Sequence, residues 1–130
     1  MVAGPYGSTI AEHFRRPRNY GALPNATASA EGVNPLCGDR VRVSVIVDPA
    51  AIIADARFTA NACAICVAAA SLLTERLRGM SIDDAGRLSD DDALAIVGSG
   101  VPSARRRCAT LPLEALRRGL GSASVHESRA

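Results

Sequence analysis

Hydrophobic and polar residues alternate along two neighbouring segments in the middle of the chain. The first segment covers residues 41–47, and the second covers residues 52–58 after a turn at Asp48-Pro49. A period of two is typical of strands with one buried face, and the short connection predicts an antiparallel hairpin. Small and polar residues over 26–33 predict an edge strand before the hairpin. The residues expected to share one face of the second segment are Ile52, Ala54, Ala56 and Phe58.

An Ala- and Leu-rich segment follows the hairpin and carries apolar residues at helical spacing. We predict a helix over about residues 64–78, ended by Gly79, with one apolar face toward the core. That face consists of Ile65, Ala68, Ala69, Leu72, Leu73 and Leu77. Cys63 therefore stands where an extended segment ends and a helix begins. The free N–H groups and the positive dipole end of a helix stabilise an anion at this position.

Capping signals predict four further helical segments. A Ser or Thr followed three residues later by an acidic residue satisfies N–H groups at a helix start, and Pro or Gly marks an end. The segments are 9–16, opened by Thr9 and Glu12 and ended by Pro17; one opened by Ser81 and Asp84; one opened by Ser89 and Asp92 and ended by Gly98; and one passing Cys108 toward Gly119, with Pro112 starting its last part.

Together these elements predict an α+β fold, in which a small antiparallel sheet of about three strands has the helices packed on one face. The length of 130 residues fits one domain over 1–130. Residues 1–7 and 121–130 are expected to be flexible tails, because they lack an apolar pattern that would anchor them.

Composition and charge narrow the range of functions. Acidic and basic residues are interspersed and the net charge is +2, so no nucleic-acid partner is indicated. No apolar run approaches the ~20 residues that cross a bilayer. The N-terminus does not resemble a signal peptide, so we predict no membrane partner and a cytoplasmic location. There the four cysteines are expected to be reduced and available for metal or thiol chemistry.

Three cysteines lie in different local contexts. Cys37 lies in a loop before a strand, Cys63 at a helix start, and Cys108 near a later helix start. Their spacing matches no short zinc-finger or ferredoxin motif. From spacing alone, a shared metal site and three inert buried thiols are both open interpretations, since free cysteine packs like a small hydrophobe.

Four groups of residues then occur in a recognisable order. They are His13–Gly21; Asn34–Asp39; Asp55–Phe58 with Cys63 and Ala70–Glu75; and Arg107–Leu111. Taken together they resemble the U-type iron–sulfur cluster assembly scaffolds, the family that includes IscU, the N-terminal domain of NifU, and SufU. The match covers roughly residues 9–120. The resemblance implies the SufE/NifU-like α+β fold of that family.

The resemblance also implies a site of three cysteines and one aspartate. Cys37, Asp39, Cys63 and Cys108 would bind iron in a transient [2Fe–2S] cluster, and Zn2+ in the apo or resting site. Thiolates suit both metals, and a single carboxylate provides a weaker bond from which a cluster can leave. The alternative for Asp39 is that it only caps the turn after Gly38.

The function implied by the resemblance is that of a scaffold and carrier more than of an enzyme. The chain would accept persulfide sulfur from a cysteine desulfurase on Cys108 or Cys63. It would then transfer a [2Fe–2S] cluster to apo iron–sulfur proteins or carrier proteins. One alternative is a zinc-dependent sulfurtransferase of the SufU kind, in which Zn2+ is permanent and one cysteine leaves the metal to accept sulfur. A small thiol protein without metal is the third hypothesis.

Several residues depart from the family pattern. Cys66, which the family usually lacks, is interpreted as a core residue or one just behind the ligands, with a spare ligand or a persulfide relay as alternatives. Arg107 replaces a common histidine and is expected to stabilise a thiolate or persulfide. Ala62 replaces a common glycine, which leaves the backbone of that loop open. The proline-rich segment read by a dedicated chaperone is degraded to Val101–Arg105, which makes chaperone docking doubtful.

Two further features have open interpretations. Residues Arg105–Arg107 either dock an acidic face of the desulfurase or form a solvated helix face. His13 is expected to be a surface or packing residue of the first helix, and His126 lies in the predicted tail. The sequence offers no Ser/His/Asp or paired-carboxylate constellation.

Overall fold

The computed structural model describes the backbone over residues 6–129 and the side chains over residues 6–121. In chain order the elements are α1 (Ser8–Arg15), β1 (Ala28–Asn34), β2 (Asp39–Val47), β3 (Ile53–Asn61), α2 (Ala64–Leu77), α3 (Ile82–Gly86), α4 (Asp90–Val97) and α5 (Arg106–Arg129). A 3₁₀ turn, Ser103–Arg105, leads directly into α5. The predicted α+β fold is confirmed, although most of the predicted 1–7 tail lies outside the described residues.

The three strands form one antiparallel sheet in the order β1-β2-β3. Val41, Val43 and Val45 of β2 are buried, and Arg40 and Arg42, which alternate with the first of them, are exposed. Asn34 pairs with Asp39 across the β1–β2 hairpin, whose turn covers residues 35–38. The predicted edge strand and the predicted hairpin are therefore both present, and Asp39 begins the central strand.

A β-bulge changes which residues of β3 face the core. The register shifts between Ile46 and Val47, so that Val47 pairs with Ile53. As a result Ile53 is fully buried, and so are Ala56 and Phe58 further along the same strand. The prediction that Ala54 shares the Phe58 face is wrong, because the extra residue in a bulge reverses the alternation on one side of it.

Helix α2 is the central helix of the molecule. It packs against α1, α4, α5 and the sheet. The prediction of one apolar face is too narrow, because Cys66, Val67, Ala70, Ser71 and Thr74 are buried as well. Three consecutive alanines at 68–70 allow the neighbouring elements to approach from several sides.

Polar groups of the His13–Gly21 segment hold α1 and the following turn on α2. His13 Nδ1 lies 2.8 Å from Ser71 Oγ, and the Arg18 backbone N–H donates to the same hydroxyl at 2.8 Å. Asn19 Nδ2 donates to Thr74 Oγ1 at 3.2 Å. His13 is therefore a buried packing residue, and burial lowers its pKa.

Most of the predicted helix boundaries are present. Ser81 accepts from the Asp84 N–H at the start of α3, and Ser89 with Asp92 forms a complete capping box at the start of α4. The box predicted from Thr9 does not form, because α1 begins one residue earlier with Gly7 as its N-cap.

Helix α5 crosses the sheet over β1 and β2. It approaches β1 so closely that a Cβ at Gly32 would lie 3.1 Å from the Leu111 carbonyl oxygen. Pro112 lies inside this helix and does not start a new one, which corrects the prediction. Pro112 has no N–H to donate to the Cys108 carbonyl, and the helix tolerates this one missing bond.

The backbone of α5 is helical to Arg129, so the predicted tail from residue 121 coincides with its last turns. Flexibility of that end stays a prediction. Within the described residues, no helix has both the length and the apolar character needed to cross a bilayer.

Candidate metal centre

Three chain segments meet at one end of the sheet. Cys37 lies on the β1–β2 turn and Asp39 is the first residue of β2. Cys63 is the N-cap of α2, directly after β3, and Cys108 is the third residue of α5. The fold therefore brings together residues that are far apart in the sequence.

The tightest group consists of Cys37, Asp39 and Cys108. One ligand atom from each lies within 4.8 Å of the other two. Ligands of a tetrahedral zinc ion, bound at about 2.0–2.3 Å, lie roughly 3.3–3.8 Å apart. The three side chains therefore need to close by no more than about 1.5 Å to share one ion, a change within reach of side-chain rotation.

The two carboxylate oxygens of Asp39 have different surroundings: one is bonded to the start of α2, and the other has no hydrogen-bond partner among the described residues. Its Oδ1 accepts the backbone N–H of Cys63 at 3.2 Å. Its Oδ2 is buried and has no hydrogen-bond partner among the described residues. A buried carboxylate oxygen without a partner is costly unless something else binds it. This geometry disagrees with the alternative that Asp39 only caps the turn after Gly38.

Cys63 lies at the edge of the tightest group. Its backbone is extended (φ −69°, ψ 168°), it is half-buried, and it is close enough to Cys108 to help raise the pKa of that thiol. Ala62 before it is not among the described non-glycine residues with positive φ, so an alanine fits this loop without backbone strain. Cys63 is therefore a fourth candidate ligand, beside the group of three.

Cys108 is 3% exposed and faces the other candidate ligands. Burial, followed by the contacts with Cys63 and Asp39, raises the pKa of Cys108 to about 12. Without metal this residue is a neutral thiol at physiological pH. A bound metal ion displaces such a proton, so metal binding at this residue depends on pH.

Cys37 has the opposite environment, on an exposed turn. The turn is supported by Asn34, whose Oδ1 accepts the Leu36 N–H at 3.2 Å and whose carbonyl accepts the Gly38 N–H at 2.8 Å. Gly38 has φ +79°, which favours glycine. Leu36 is 92% exposed beside the thiol. Cys37 is therefore the most accessible of the candidate ligands.

Of the arginines at 105–107, Arg105 is the one that lies beside the Cys108 thiol, whereas Arg107, for which this role was predicted, lies in an ion pair. The guanidinium of Arg105 lies beside the Cys108 thiol, and this contact raises the pKa of Arg105. Arg107 lies 3.7 Å from Glu114. A residue three positions before Cys108 shares its side of the helical turn, whereas the adjacent residue points about a quarter turn away. Helical spacing is the signal that could have identified Arg105.

The arginine run does not form one continuous docking face. Arg106 lies 3.4 Å from Asp91 of α4, and Arg107 pairs with Glu114 within α5. Only Arg105 of the three is directed at the cysteines. Arg105 is therefore separate from Arg106 and Arg107, which line one cavity together with Glu114.

Cys66 lies behind the site, fully buried on the first turn of α2. Burial raises its pKa well above the ordinary thiol value, and Asp39 and Cys63 add to this shift. It is a neutral thiol in the protein core that nevertheless borders the candidate ligands.

The donor set fits a thiolate-binding metal. Three thiols and one carboxylate are a known type of zinc environment, and iron–sulfur clusters likewise bind thiolates. The unpartnered Asp39 Oδ2 is the observation that supports this fit, because a cation would satisfy it.

The NifU-like N terminal domain family matches residues 5–128 of the chain. Among curated relatives, the zinc-dependent sulfurtransferase SufU of Bacillus subtilis is 34% identical over 132 residues, covering 88% of each chain. The iron-sulfur cluster assembly scaffold protein IscU 1 of Archaeoglobus fulgidus is 31% identical over 115 residues, covering 88% of this chain and 74% of that protein.

Some curated relatives are much longer than this chain. It spans 23% of the bifunctional protein NifU/MnmA of Rubrobacter xylanophilus and 40% of the nitrogen fixation protein NifU of Azotobacter chroococcum.

The fold recurs in solved structures. The N-terminal part of a nitrogen-fixing NifU-like protein from Brucella abortus superposes with a TM-score of 0.76 over 93% of this chain and 95% of that one. At 20% sequence identity this likeness shows a shared fold.

Proposed function

The chain belongs to the NifU-like N-terminal domain family, and from this premise we propose that it is an iron–sulfur cluster assembly scaffold. It binds iron, receives persulfide sulfur from a cysteine desulfurase, and passes a [2Fe–2S] cluster to apo-proteins or carrier proteins. The observation that carries this proposal is the meeting of Cys37, Asp39 and Cys108 beside Cys63 at one end of the sheet.

In this proposal each ligand has a distinct task. Cys63 and Cys108 hold the cargo from the buried side, where both are fixed by helix starts. Asp39 provides the harder and weaker bond, and its buried Oδ2 has no hydrogen-bond partner among the described residues. Cys37 closes the site from the exposed turn. The cluster is cargo, and it leaves toward the side of Cys37 and Asp39.

Sulfur acceptance falls to Cys63 or Cys108. Cys63 is the more accessible of the two and lies at the positive end of α2. Cys108 has the Arg105 guanidinium beside it, which stabilises an anionic persulfide. Either acceptor delivers the sulfur next to the iron ligands.

We keep a zinc-dependent sulfurtransferase as the second candidate. Its support is the exposed position of Cys37, a thiol that can leave a metal without disturbing the core. In this case Zn2+ stays bound by Asp39, Cys63 and Cys108 while Cys37 accepts sulfur. Zinc accepts three protein ligands with an open fourth position.

Anaerobic reconstitution with Fe2+ and sulfide separates the two candidates. A cluster that absorbs visible light and is taken up by an apo-ferredoxin supports the scaffold. Tight Zn2+ without a cluster, together with strong activation of a cysteine desulfurase, supports the sulfurtransferase. The Cys108→Ser variant is the matched control and should fail both assays. A chain purified without chelator that carries neither zinc nor iron would contradict both proposals and leave a metal-free thiol protein.

The proposed setting follows from these roles. We propose a cytoplasmic location, a cysteine desulfurase and apo iron–sulfur or carrier proteins as partners, and no nucleic-acid or membrane partner. The metal centre itself acts mainly as a carrier, with sulfur transfer as its chemical step.

A further inference from the structure

The ligand set leaves one thiol of the site without a role. Cys66 is 0% exposed and lies one helical turn below Cys63. The charges of Asp39, Cys63 and Cys108 all act on its thiol, so it borders the same cluster of groups. Packing alone does not require a thiol at this position. A thiol at the base of a sulfur-accepting site can also react with the sulfur that arrives there.

The backbone places Cys63 and Cys66 as a reacting pair. Cys63 is the N-cap of α2 and Cys66 is its third helical residue. Residues three apart on a helix share one side, with about 5–6 Å between their Cβ atoms. A disulfide needs about 3.5–4.5 Å between Cβ atoms and 4.4–6.8 Å between Cα atoms. Cys63 precedes the regular helix, so its extended backbone can close the difference without unwinding α2.

The two thiols also differ in accessibility, as a reacting pair of this kind requires. Cys63 is half-buried and reachable from outside, whereas Cys66 is sealed beneath it. A sulfur donor can therefore reach Cys63 first, and Cys66 meets sulfur only after another thiol of the site has accepted it.

We propose that Cys66 is the resolving thiol for a persulfide on Cys63, so that sulfur accepted by Cys63 is released inside the site as sulfide. This inference rests on the proposed function, since it needs a persulfide to arrive. It assigns a reductive step to a residue outside the ligand set.

The step is balanced without an external oxidant. The Cys66 sulfur attacks the Cys63 sulfur of the Cys63–S–SH group, and a Cys63–Cys66 disulfide forms. The bond to the terminal sulfur breaks, and that sulfur leaves as hydrosulfide, which takes up the proton of Cys66. The two electrons gained by the terminal sulfur are those lost when the two cysteines become a disulfide. A dithiol reductant then restores both thiols by thiol–disulfide exchange.

The product has the oxidation level that a cluster requires. Bridging sulfur in a [2Fe–2S] cluster is sulfide, whereas a desulfurase delivers sulfur as persulfide. Resolution by Cys66 makes the conversion beside Asp39 and Cys108, where iron is proposed to bind.

The test uses the full metal-free chain and glutathione persulfide, a donor that needs no protein recognition. After one anaerobic turnover and alkylation, intact mass and non-reducing peptide maps identify the sulfur species, and free sulfide is measured. After the mass of the added alkyl groups is subtracted, we expect the parent chain to be lighter than the untreated chain by two hydrogens, with a Cys63–Cys66 disulfide and about one sulfide per disulfide.

The matched variants are Cys66→Ser and Cys66→Ala. Both should be heavier by one sulfur on Cys63, with near-complete loss of sulfide release. Thermal unfolding and zinc binding of each variant establish that it is folded, and two variants of different polarity guard against a packing artefact. A parent chain that keeps its persulfide on Cys63, or that takes no sulfur on Cys63, overturns the inference.

A second arm replaces glutathione persulfide with a persulfide-loaded cysteine desulfurase. If sulfur arrives from glutathione persulfide and is resolved, but none arrives from the desulfurase, then the proposed function fails while the chemistry of Cys66 stands. If both donors load Cys63 and neither yields the disulfide, the inference fails while the proposed function stands.

Discussion

The candidate metal centre has two sides that are built in different ways. On one side, Cys37 lies on a four-residue turn that is stabilised by Asn34 and Gly38 within the same hairpin. On the other side, Cys63 and Cys108 lie at the starts of two helices that pack in the core. The turn side can move without disturbing the core, whereas the helix side cannot. A site built in this way can open from one side while keeping most of its ligands in place.

The largest expected effect comes from removing a ligand on the helix side. Cys108→Ser should weaken zinc binding by at least about 100-fold, since even partners behind the ligands are worth 10- to 100-fold. Cys37→Ser should cost less, because water can reach the exposed turn and take the vacated position. Competition with a chromophoric chelator measures both. The reverse ranking would show that the two sides do not differ as described.

The next effect concerns Asp39, which joins the two sides. Asp39→Ala should make the cluster longer-lived and slow its transfer to apo-ferredoxin, because the weakest ligand is replaced and the exit is lost. It should also cost about 1 kcal/mol of stability through the lost acceptor for the Cys63 N–H. Asp39→Asn keeps that acceptor and serves as the control for stability. Faster transfer by Asp39→Ala would contradict the assigned role.

A smaller effect is expected in the turn itself. Gly38→Ala should lower the free energy of unfolding by about 1 kcal/mol, because φ is +79° and no described atom lies near the added Cβ. Urea denaturation measures this loss. Gly86→Ala in α3 is the matched control, since its φ is not positive and the space is also open. Equal stability of the two variants would mean that the turn carries no backbone constraint.

Arg105 is an exposed residue beside Cys108, on the helix side of the site. Arg105→Ala should slow alkylation of Cys108 several-fold at alkaline pH, because a guanidinium beside the thiol stabilises its thiolate. Arg107→Ala should leave that rate unchanged, since Arg107 pairs with Glu114. The pH profile of iodoacetamide labelling distinguishes a charge effect from a change in access. Similar slowing in both variants would remove the distinction between the two arginines.

The smallest expected effect is on the pH dependence of stability. It comes from His13, which packs on α2. Burial and the nearby Arg18 hold the pKa of His13 below its ordinary 6.5. The unfolded chain therefore binds more protons between the lowered pKa and 6.5. The stability contributed by neutral His13 is complete above about pH 6.5 and is lost as the pH falls toward the lower value. Urea titrations from pH 7 to 5 measure this, and in His13→Gln that part of the pH dependence should vanish.

How well the sequence predicted each feature depends on whether that feature is local or tertiary. Local signals were sufficient where neighbours in the chain decide the outcome: the burial of Val41, Val43 and Val45 in β2, the Ser89–Asp92 capping box and the turn before Asp39 all occur as predicted. The sequence also brought Cys37, Asp39, Cys63 and Cys108 into one hypothesis through the family resemblance, and the structure brings them to one end of the sheet.

Features that depend on tertiary packing were not predicted from the sequence. The bulge beside Val47 reverses the face of Ala54, because the β2–β3 register is set by pairing between the strands. The full burial of α2 depends on how many elements pack around it. Pro112 remains inside α5 because its neighbours are held against the sheet. Arg105 was overlooked because adjacency in the sequence was given more weight than the helical turn.

The placement of Cys37 and Cys108 has a consequence for the lifetime of the protein. A shared ion ties the hairpin to the C-terminal helix, so occupancy adds to the free energy of unfolding, by about 2.7 kcal/mol when the free metal is 100 times its Kd. Loading and resistance to proteolysis therefore rise together. A chain that has handed over its cargo is easier to unfold, and turnover by proteases would fall first on empty molecules.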